Sequence, residues 1–290
     1  MSFARPQYLV ETDWMAQHLE DPAVRLLECT VYLQPTDGPF PFRVESGRAK
    51  WAEGHIPSAG FIDLQEELSD RTSPLRFMLP PAAQFAAAMG RAGVGDGVRV
   101  ILYDRAFNMW AARIWWMLRA FGFDNAAVLN GGFKKWTAES RPVSTDAATR
   151  PATTFTARPR PGLIADKSGV LAAIGESGSC VLNALSEEQH HGTGGTTYGR
   201  PGRIKGSVNV VARDLVDPAT HAYLPADVLR AKFQAVGALD AKRVVTYCGG
   251  GIAASSDAFI LTLLGRDDVA VYDASLSEWA NDPSLPMERG

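Results

Sequence analysis

The segment Arg243–Ser256, RVVTYCGGGIAASS, places a cysteine between an apolar run and three consecutive glycines. The run Val244–Tyr247 has the β-branched and aromatic residues of a buried strand. Cys248 therefore lies at the carboxyl end of a predicted parallel strand, where open α/β sheets bind ligands. Apolar residues recur at helical spacing after the glycines, at Ile252, Phe259, Ile260 and Leu263.

The three glycines after Cys248 give the predicted loop an unusual backbone freedom. Without a Cβ, the loop can curl and turn successive N–H groups toward the cysteine sulfur. The N-terminus of the next helix adds its positive dipole end, and we interpret Cys248 as an anionic sulfur nucleophile. Cys29 and Cys180 lie in apolar strands without such a loop, and we interpret them as small buried hydrophobes. A Cβ at Gly250 or Gly251 is expected to disturb the loop.

Sequence landmarks occur twice in the chain at nearly constant spacing. The apolar run that ends at Cys248 has a counterpart ending at Asp104, 144 residues earlier (248 minus 104). Because Asp104 replaces the nucleophile and no glycine run follows it, we expect the first half to be catalytically inactive. The other pairs are EGHIPSAGFIDL from Glu53 with PGRIKGSVNVVA from Pro201, and LNGGFKKW to Trp136 with YDASLSEW to Trp279.

The segment between the two copies is rich in Pro, Thr, Ala and Arg, which is typical of a linker. We predict an N-terminal domain over 1–143, a linker over 144–160 and a catalytic C-terminal domain over 161–290. In each half, short apolar strands alternate with amphipathic helices. The predicted fold class is α/β, with two tandem domains that each contain a mostly parallel sheet flanked by helices.

The composition limits the possible partners. The chain has 290 residues, is 46% hydrophobic and carries a net charge of −3, so no basic field attracts nucleic acid or an anionic membrane. No export leader or bilayer-spanning run is recognisable. Three cysteines without a C-x-x-C pair fit a reducing compartment, and we expect a cytoplasmic protein.

Several chemistries use a cysteine in a loop between strand and helix. A phosphatase loop needs an arginine at the sixth position after the cysteine, and here that residue is Ala254. A thiol protease needs a positioned histidine, and His190, His191 and His221 lie in no supporting motif. These histidines also lack the spacing of a zinc site. Sulfur transfer through a persulfide remains, and it needs no metal or organic cofactor.

The whole chain resembles the tandem-domain rhodanese family, the thiosulfate and 3-mercaptopyruvate sulfurtransferases. The resemblance rests on the motifs quoted above together with LSDRTSPLRFMLP, CGGGIAAS and YDASLSEWANDPSLP. It implies a sulfur donor, a thiol or cyanide acceptor, possible reduction by a thioredoxin-like protein, and catalysis by Cys248. The active-site loop implied by the resemblance consists of Cys248, Gly249, Gly250, Gly251, Ile252 and Ala253.

The chain also departs from the family pattern. The residues after Cys248 are uncharged, as in the mercaptopyruvate branch, but Gly250 stands where that branch often has serine. The family's D-x-R substrate motif is replaced by Asn183-Ala184-Leu185. A non-catalytic sulfur carrier or sensor therefore remains an alternative.

Other cations must then supply the positive charge that holds the donor. Arg200 and Arg203 are the candidates, although both could be solvated, and Arg71 of the first half is a further one. His55 could face the cleft or fasten its loop by hydrogen bonds. On balance we expect 3-mercaptopyruvate to be preferred over thiosulfate.

Overall fold

The computed structural model describes residues 2–36, 42–148 and 150–290. None of the helices in these ranges is long and apolar enough to cross a bilayer. Strands occupy Leu9–Val10 (β1), Val24–Glu28 (β2), Val31–Pro35 (β3), Phe42–Ser46 (β4), Gly60–Phe61 (β5), Arg99–Tyr103 (β6), Ala126–Leu129 (β7), Ile164–Ala165 (β8), Ser179–Asn183 (β9), Arg203–Ile204 (β10), Val208–Asn209 (β11), Arg243–Tyr247 (β12), Val269–Tyr272 (β13) and Met287–Glu288 (β14). Helices occupy Thr12–Gln17 (α1), Arg48–Glu53 (α2), Ala82–Arg91 (α3), Met109–Ala120 (α4), Gly132–Ala138 (α5), Lys167–Ala173 (α6), Glu187–His191 (α7), Ala226–Ala235 (α8), Ile252–Leu263 (α9) and Ser275–Trp279 (α10).

Two five-stranded parallel sheets repeat one topology. The strand order is β1-β7-β6-β2-β5 in the first half and β8-β13-β12-β9-β11 in the second. The strands that end before Asp104 and Cys248 are each central, because β6 pairs with β2 and β7 while β12 pairs with β9 and β13. The predicted α/β class with two repeated parallel sheets is confirmed, and the sequence repeat is a repeat of the fold.

Helices α4 and α9 form the contact between the halves. Every residue of α4 after Met109 is buried, as is every residue of α9 after Ala253. The two helices pack against each other, with the ring of Trp115 edge-on to Phe259 at a centroid distance of 4.7 Å. The tryptophans of α4 are therefore core residues, because this helix is covered by its own sheet on one side and by α9 on the other.

A loop of the first half reaches across to the second sheet. The backbone N–H of Leu79 donates to Oδ2 of Asp273, immediately after β13, over 2.7 Å. The carbonyl oxygen of Phe77 accepts a hydrogen bond from Nη2 of Arg113 over 2.6 Å. The loop of residues 75–79 thus lies over the carboxyl edge of the second sheet, where Cys248 is located.

A loop of the second half makes the reciprocal contact. The N–H of Tyr223 donates to Oδ1 of Asn130, immediately after β7, over 2.8 Å. The carbonyl oxygen of His221 accepts a bond of 2.7 Å from Nδ2 of Asn108. Each half therefore covers the carboxyl edge of the other half's sheet.

Candidate active site

Cys248 follows the last residue of β12 and is 2% exposed. Its neighbours Gly249 and Gly251 are buried, whereas Gly250, Ile252 and Ala253 are partly exposed. The predicted arrangement of strand, glycine loop and helix is present, and it places the sulfur at the carboxyl edge of the second sheet.

Two serines of α10 hold the loop from below. The Ser275 hydroxyl accepts hydrogen bonds from the N–H groups of Cys248 (3.0 Å) and Gly251 (3.3 Å) and donates to the carbonyl of Tyr272 (2.7 Å). The Ser277 hydroxyl donates to the carbonyl oxygen of Gly249 over 2.7 Å. These bonds fix both ends of the curl, so the loop is held in its shape before any substrate binds.

No residue other than glycine fits at position 251 without strain. Its φ is +78°, and a Cβ there would lie 2.6 Å from Oδ1 of Asp273 and 2.9 Å from Nη1 of Arg113. Gly250 is different, since the nearest atoms to its Cβ position, among them the carbonyl oxygen of Arg76, are 3.9 Å away. The geometry does not support the expected disturbance of the loop by a Cβ at Gly250, because this position is open and its φ lies outside the left-handed region.

The Arg113–Asp273 ion pair lies directly behind Gly251. Its Nη1 and Oδ1 atoms are 2.6 Å apart, and the side chains are 0% and 5% exposed. Because Arg113 belongs to α4 and Asp273 follows β13, the pair joins the two halves beneath the nucleophile loop.

Tyr198 covers Gly249 from the other side. A Cβ on Gly249 would fall within the Tyr198 ring, against Cε1, Cζ and the hydroxyl oxygen. Burial and the nearby Cys248 raise the pKa of the Tyr198 hydroxyl, while the charge of Arg213 acts in the opposite direction. The Tyr198 hydroxyl is therefore close enough to Cys248 and to Arg213 to interact electrostatically with each of them.

The first turn of α9 faces the loop with backbone N–H groups that have no acceptor within the helix. They belong to Ile252, Ala253 and Ala254. An anion bound at the sulfur would be stabilised by these donors and by the positive end of the helix dipole.

The first half has the carboxyl group of Asp104 in the corresponding place. The Asp104 carboxylate accepts hydrogen bonds from the N–H groups of Ala106 (2.6 Å), Asn108 (3.1 Å), Trp110 (2.9 Å) and Ala111 (2.9 Å). Burial raises its pKa to about 7, although these four donors act to lower it. The last two donors belong to the first turn of α4, which is the counterpart of the first turn of α9.

The other two cysteines lie in apolar surroundings. Burial raises the pKa of the Cys29 thiol well above its usual range and that of Cys180 to about 11. The Cys29 thiol donates to the carbonyl of Tyr103 over 3.3 Å. Both thiols are thus protonated at neutral pH, which supports their interpretation as packing residues.

The guanidinium of Arg200 is already hydrogen-bonded to backbone carbonyl oxygens. Its Nε and Nη2 atoms donate to four carbonyl oxygens, those of Ala280 (3.1 Å), Trp279 (3.2 Å), Asp282 (2.6 Å) and Leu285 (3.1 Å). These bonds use the Nε–Nη2 edge by which a guanidinium holds a carboxylate bidentately. The structure therefore does not support the expectation that Arg200 offers this edge to a substrate, because the arginine already fastens the loop before β10 to the C-terminal segment.

Arg203 and Arg71 also have other partners. Arg203 donates through Nε to Glu288 over 3.0 Å and through Nη1 to the carbonyl of Gly290, which joins β10 to β14 and the chain end. Arg71 pairs with Glu66 on the exposed surface. Neither geometry directs the guanidinium to Cys248.

His55 fastens a turn. It is 0% exposed, its Nδ1 lies 2.8 Å from the carbonyl oxygen of Trp51, and its Nε2 lies 3.1 Å from that of Asp146. The ring also stacks on Trp51. Of the two roles considered for His55, these contacts support the fastening of the loop.

The remaining histidines have structural contacts. Burial lowers the pKa of His190 to about 4, and its Nδ1 lies 3.2 Å from Nδ2 of Asn183. His221 stacks on Phe107 between the halves. Within the described ranges no group of three potential metal ligands is found.

Four residues of the site were missed by sequence reasoning: Tyr198, Arg213, Ser275 and Ser277. The two serines left a signal, because in the first copy of the same motif their positions are Gly132 and Lys134. Tyr198 left none, since only a tertiary contact brings it to Gly249, and Arg213, whose charge acts on Tyr198, left none either.

Comparisons with known proteins agree with this geometry. The model of the rhodanese-like domain matches residues 11–139 and 184–282. The 3-mercaptopyruvate sulfurtransferase of Escherichia coli K12 is 31% identical over 289 residues, covering 97% of this chain and 98% of that protein. The thiosulfate sulfurtransferase of Rattus norvegicus is 31% identical over 280 residues, covering 93% and 91%.

Solved structures show the same architecture. SseA from Escherichia coli, described as a 3-mercaptopyruvate sulfotransferase, matches with a TM-score of 0.80 at 30% identity, covering 93% of this chain and 99% of that one. The anaerobic ergothioneine biosynthesis enzyme from Chlorobium limicola shares the fold, with a TM-score of 0.81 at 22% identity, covering 99% and 71%.

This chain belongs to the rhodanese family. It is an enzyme, a two-domain sulfurtransferase. The class assignment favours catalysis over the alternative of a non-catalytic sulfur carrier.

Proposed function

We propose that the protein moves a sulfane sulfur from a donor to a thiol or cyanide through a Cys248 persulfide, with 3-mercaptopyruvate preferred over thiosulfate. The observation that carries the proposal is the position of Cys248, which lies between the end of β12 and a glycine loop that leads into the first turn of α9. The hydrogen bonds to Asp104 support it, because in the first half two N–H groups in the first turn of α4 donate to the side chain that occupies the position of Cys248.

The reaction consists of two balanced steps. The Cys248 thiolate attacks the sulfur of 3-mercaptopyruvate, an S–S bond forms, and the bond from sulfur to C3 breaks. The electron pair remains on C3, which takes up a proton to give pyruvate. A thiol or cyanide then attacks the outer sulfur and releases Cys248 as thiolate.

The N–H groups of Ala253 and Ala254 are the donors that we assign to the outer persulfide sulfur. They occupy the positions on α9 that Trp110 and Ala111 occupy on α4. Since Cys248 donates its own N–H to Ser275, the charge of the sulfur is stabilised by the first turn of the helix.

The donor preference follows from charge. Thiosulfate is a dianion, and the loop offers no side-chain cation to offset its desolvation. Mercaptopyruvate carries one carboxylate, for which we propose Arg213, whose exposed guanidinium lies 5.5 Å from the Phe107 ring centroid and acts on Tyr198. Arg200 and Arg203, which the sequence offered as ligands of the donor carboxylate, are substituted in the same kinetic test.

The proposal includes three further expectations. The N-terminal domain spans 1–143, the linker 144–160 and the C-terminal domain 161–290. The N-terminal domain is inactive because Asp104 cannot carry sulfur. The enzyme acts in the cytoplasm. A thioredoxin-like protein is a suitable acceptor, since its thiolate can attack the persulfide.

The test combines kinetics and mass measurement. With 3-mercaptopyruvate, the intact mass should increase by one sulfur, and Cys248→Ser should show no increase, while Cys180→Ser as matched control keeps it. We expect kcat/KM to be higher for 3-mercaptopyruvate than for thiosulfate, and Arg213→Ala to reduce it at least tenfold, about 1.4 kcal/mol. Sulfur on Cys29 or Cys180, or equal use of thiosulfate, would contradict the proposal. A loss in Arg200→Ala or Arg203→Ala with Arg213→Ala unchanged would move the carboxylate site.

A further inference from the structure

The ring of Tyr198 occupies the space that a side chain at position 249 would need. The Cβ of any residue other than glycine would fall within this ring. Tyr198 is itself held in place, because its carbonyl oxygen accepts a hydrogen bond of 2.7 Å from Nδ2 of Asn281, which also donates to the carbonyl of Ser277 over 2.9 Å. The backbone at Tyr198 is thus tied through Asn281 to α10, the helix that supports the nucleophile loop.

Position 249 is where a side-chain cation would lie nearest to the sulfur. It follows Cys248 directly, and its carbonyl is fixed by Ser277, so its side chain would point from a rigid backbone. A cation there would offset the charge of a dianionic donor over a few ångströms, where Coulomb energies in a partly buried site are large. The ring replaces that cation with an uncharged surface.

The hydroxyl of Tyr198 stays protonated in this environment. Burial raises its pKa, and the nearby Cys248 acts in the same direction. The ring that fills the side-chain position of residue 249 is therefore uncharged at neutral pH.

We propose that Tyr198 is a specificity-determining residue: its ring excludes a basic side chain from position 249 and thereby restricts the site to singly charged donors. The inference rests on the proposed sulfur transfer through Cys248. It assigns the donor preference to a tertiary contact between the loop of residues 192–200 and the nucleophile loop.

The test is a pair of substitutions that exchanges the ring for a cation. Gly249→Lys alone should reduce kcat/KM at least tenfold for both donors, because the new Cβ meets the ring. Tyr198→Ala combined with Gly249→Lys should restore sulfur transfer and shift the ratio of kcat/KM for thiosulfate to that for 3-mercaptopyruvate at least tenfold toward thiosulfate. Tyr32→Ala combined with Gly249→Lys is the matched control and should remain as inactive as Gly249→Lys. A double variant with the wild-type donor ratio would overturn the inference.

A stability measurement tests the contact itself. Gly249→Ala should lower the unfolding temperature in the wild-type background and much less in a Tyr198→Ala background, whereas equal losses in both would contradict the contact. Tyr198→Phe should keep the wild-type donor ratio within about threefold, because the ring and not the hydroxyl excludes the side chain. If wild type gains no sulfur from either donor, the proposed function fails; if it is active and the ratio does not respond, only this inference fails.

Discussion

At the scale of single residues, environment separates three cysteines of identical chemistry. Cys29 and Cys180 belong to the hydrophobic core, where burial raises the pKa of each thiol. Cys248 is equally buried, but it meets a loop held by hydroxyl groups and the first turn of α9. Polar donors rather than exposure distinguish the candidate nucleophile.

Two neighbouring glycines should differ in their tolerance of a Cβ. We expect Gly251→Ala to lower the free energy of unfolding by about 1–3 kcal/mol, because φ is +78° and the methyl group meets Asp273. Gly250→Ala should change it by less than about 1 kcal/mol, since its Cβ has room. Urea unfolding followed by circular dichroism measures both, and equal losses would show that the loop differs from this geometry.

Asp257 should make stability depend on pH. It is fully buried in α9, and among the described residues neither carboxyl oxygen has a hydrogen-bond partner. Burial raises its pKa well above the usual range, so the folded protein keeps the proton that the unfolded chain loses above about pH 4. Its contribution is therefore full below pH 4 and is lost as pH rises toward the folded pKa.

The variant Asp257→Asn has no titratable group at this position, so its stability should not show this pH-dependent loss. Above about pH 5 the free energy of unfolding of wild type should fall relative to Asp257→Asn as pH rises, at no more than about 1.4 kcal/mol per pH unit, until the pH reaches the folded pKa. Asp282→Asn is the control. The pKa of Asp282 is lowered by its bonds to Ser284, so this carboxyl group is ionised above about pH 5 in both the folded and the unfolded protein. Parallel curves for wild type and Asp257→Asn would refute the assignment.

At the scale of elements, two strand-loop-helix units are held face to face. The carboxyl edge of each sheet is covered by a segment of the opposite half, through Leu79 on Asp273 after β13 and through Tyr223 on Asn130 after β7. The unit that contains Cys248 differs in having the buried Arg113–Asp273 pair behind its loop. The support of the nucleophile loop is thus shared between the halves.

Breaking that pair should be costly. Arg113→Met leaves the Asp273 carboxylate buried without its partner, and we expect a loss of about 3–5 kcal/mol in the free energy of unfolding. Arg48→Met removes an exposed pair with Glu67 and should cost about 0–1 kcal/mol. Denaturant unfolding compares the two variants, and similar losses would mean that the buried pair adds no more than a surface one.

At the scale of the whole molecule, the halves should behave as one folding unit. Helices α4 and α9 are buried against each other, and each half alone would expose an apolar helix face. The chain between them includes four exposed residues, Pro151–Thr154. We expect cleavage at a protease site inserted between Ala152 and Thr153 to leave the halves associated and active.

Size-exclusion chromatography and hydrogen exchange check this expectation. The cleaved halves should elute together, and each half expressed alone should aggregate or exchange rapidly in α4 or α9. A soluble, protected single half would contradict the interdependence and would favour two independent domains.

Much of this fold could be predicted from local sequence. Strand, glycine loop and helix around Cys248 follow from apolar periodicity and from residues that lack a Cβ, which act within a few positions of one another. The repeated motifs predict the same strand-loop-helix unit in the first half, where Asp104 takes the position of Cys248. The role of the three glycines could be predicted only in part, since whether a Cβ fits at Gly250 depends on a loop of the other half.

Short-range patterns in the sequence are enough to predict the α/β class, the twofold repeat and the candidate nucleophile. The partners of the charged and aromatic side chains are visible only in the folded structure. It committed Arg200 to carbonyls about 80 residues away, and it placed Tyr198 on Gly249 and Arg113 on Asp273. Such pairings depend on how distant segments meet in the folded core, and no local pattern encodes that meeting.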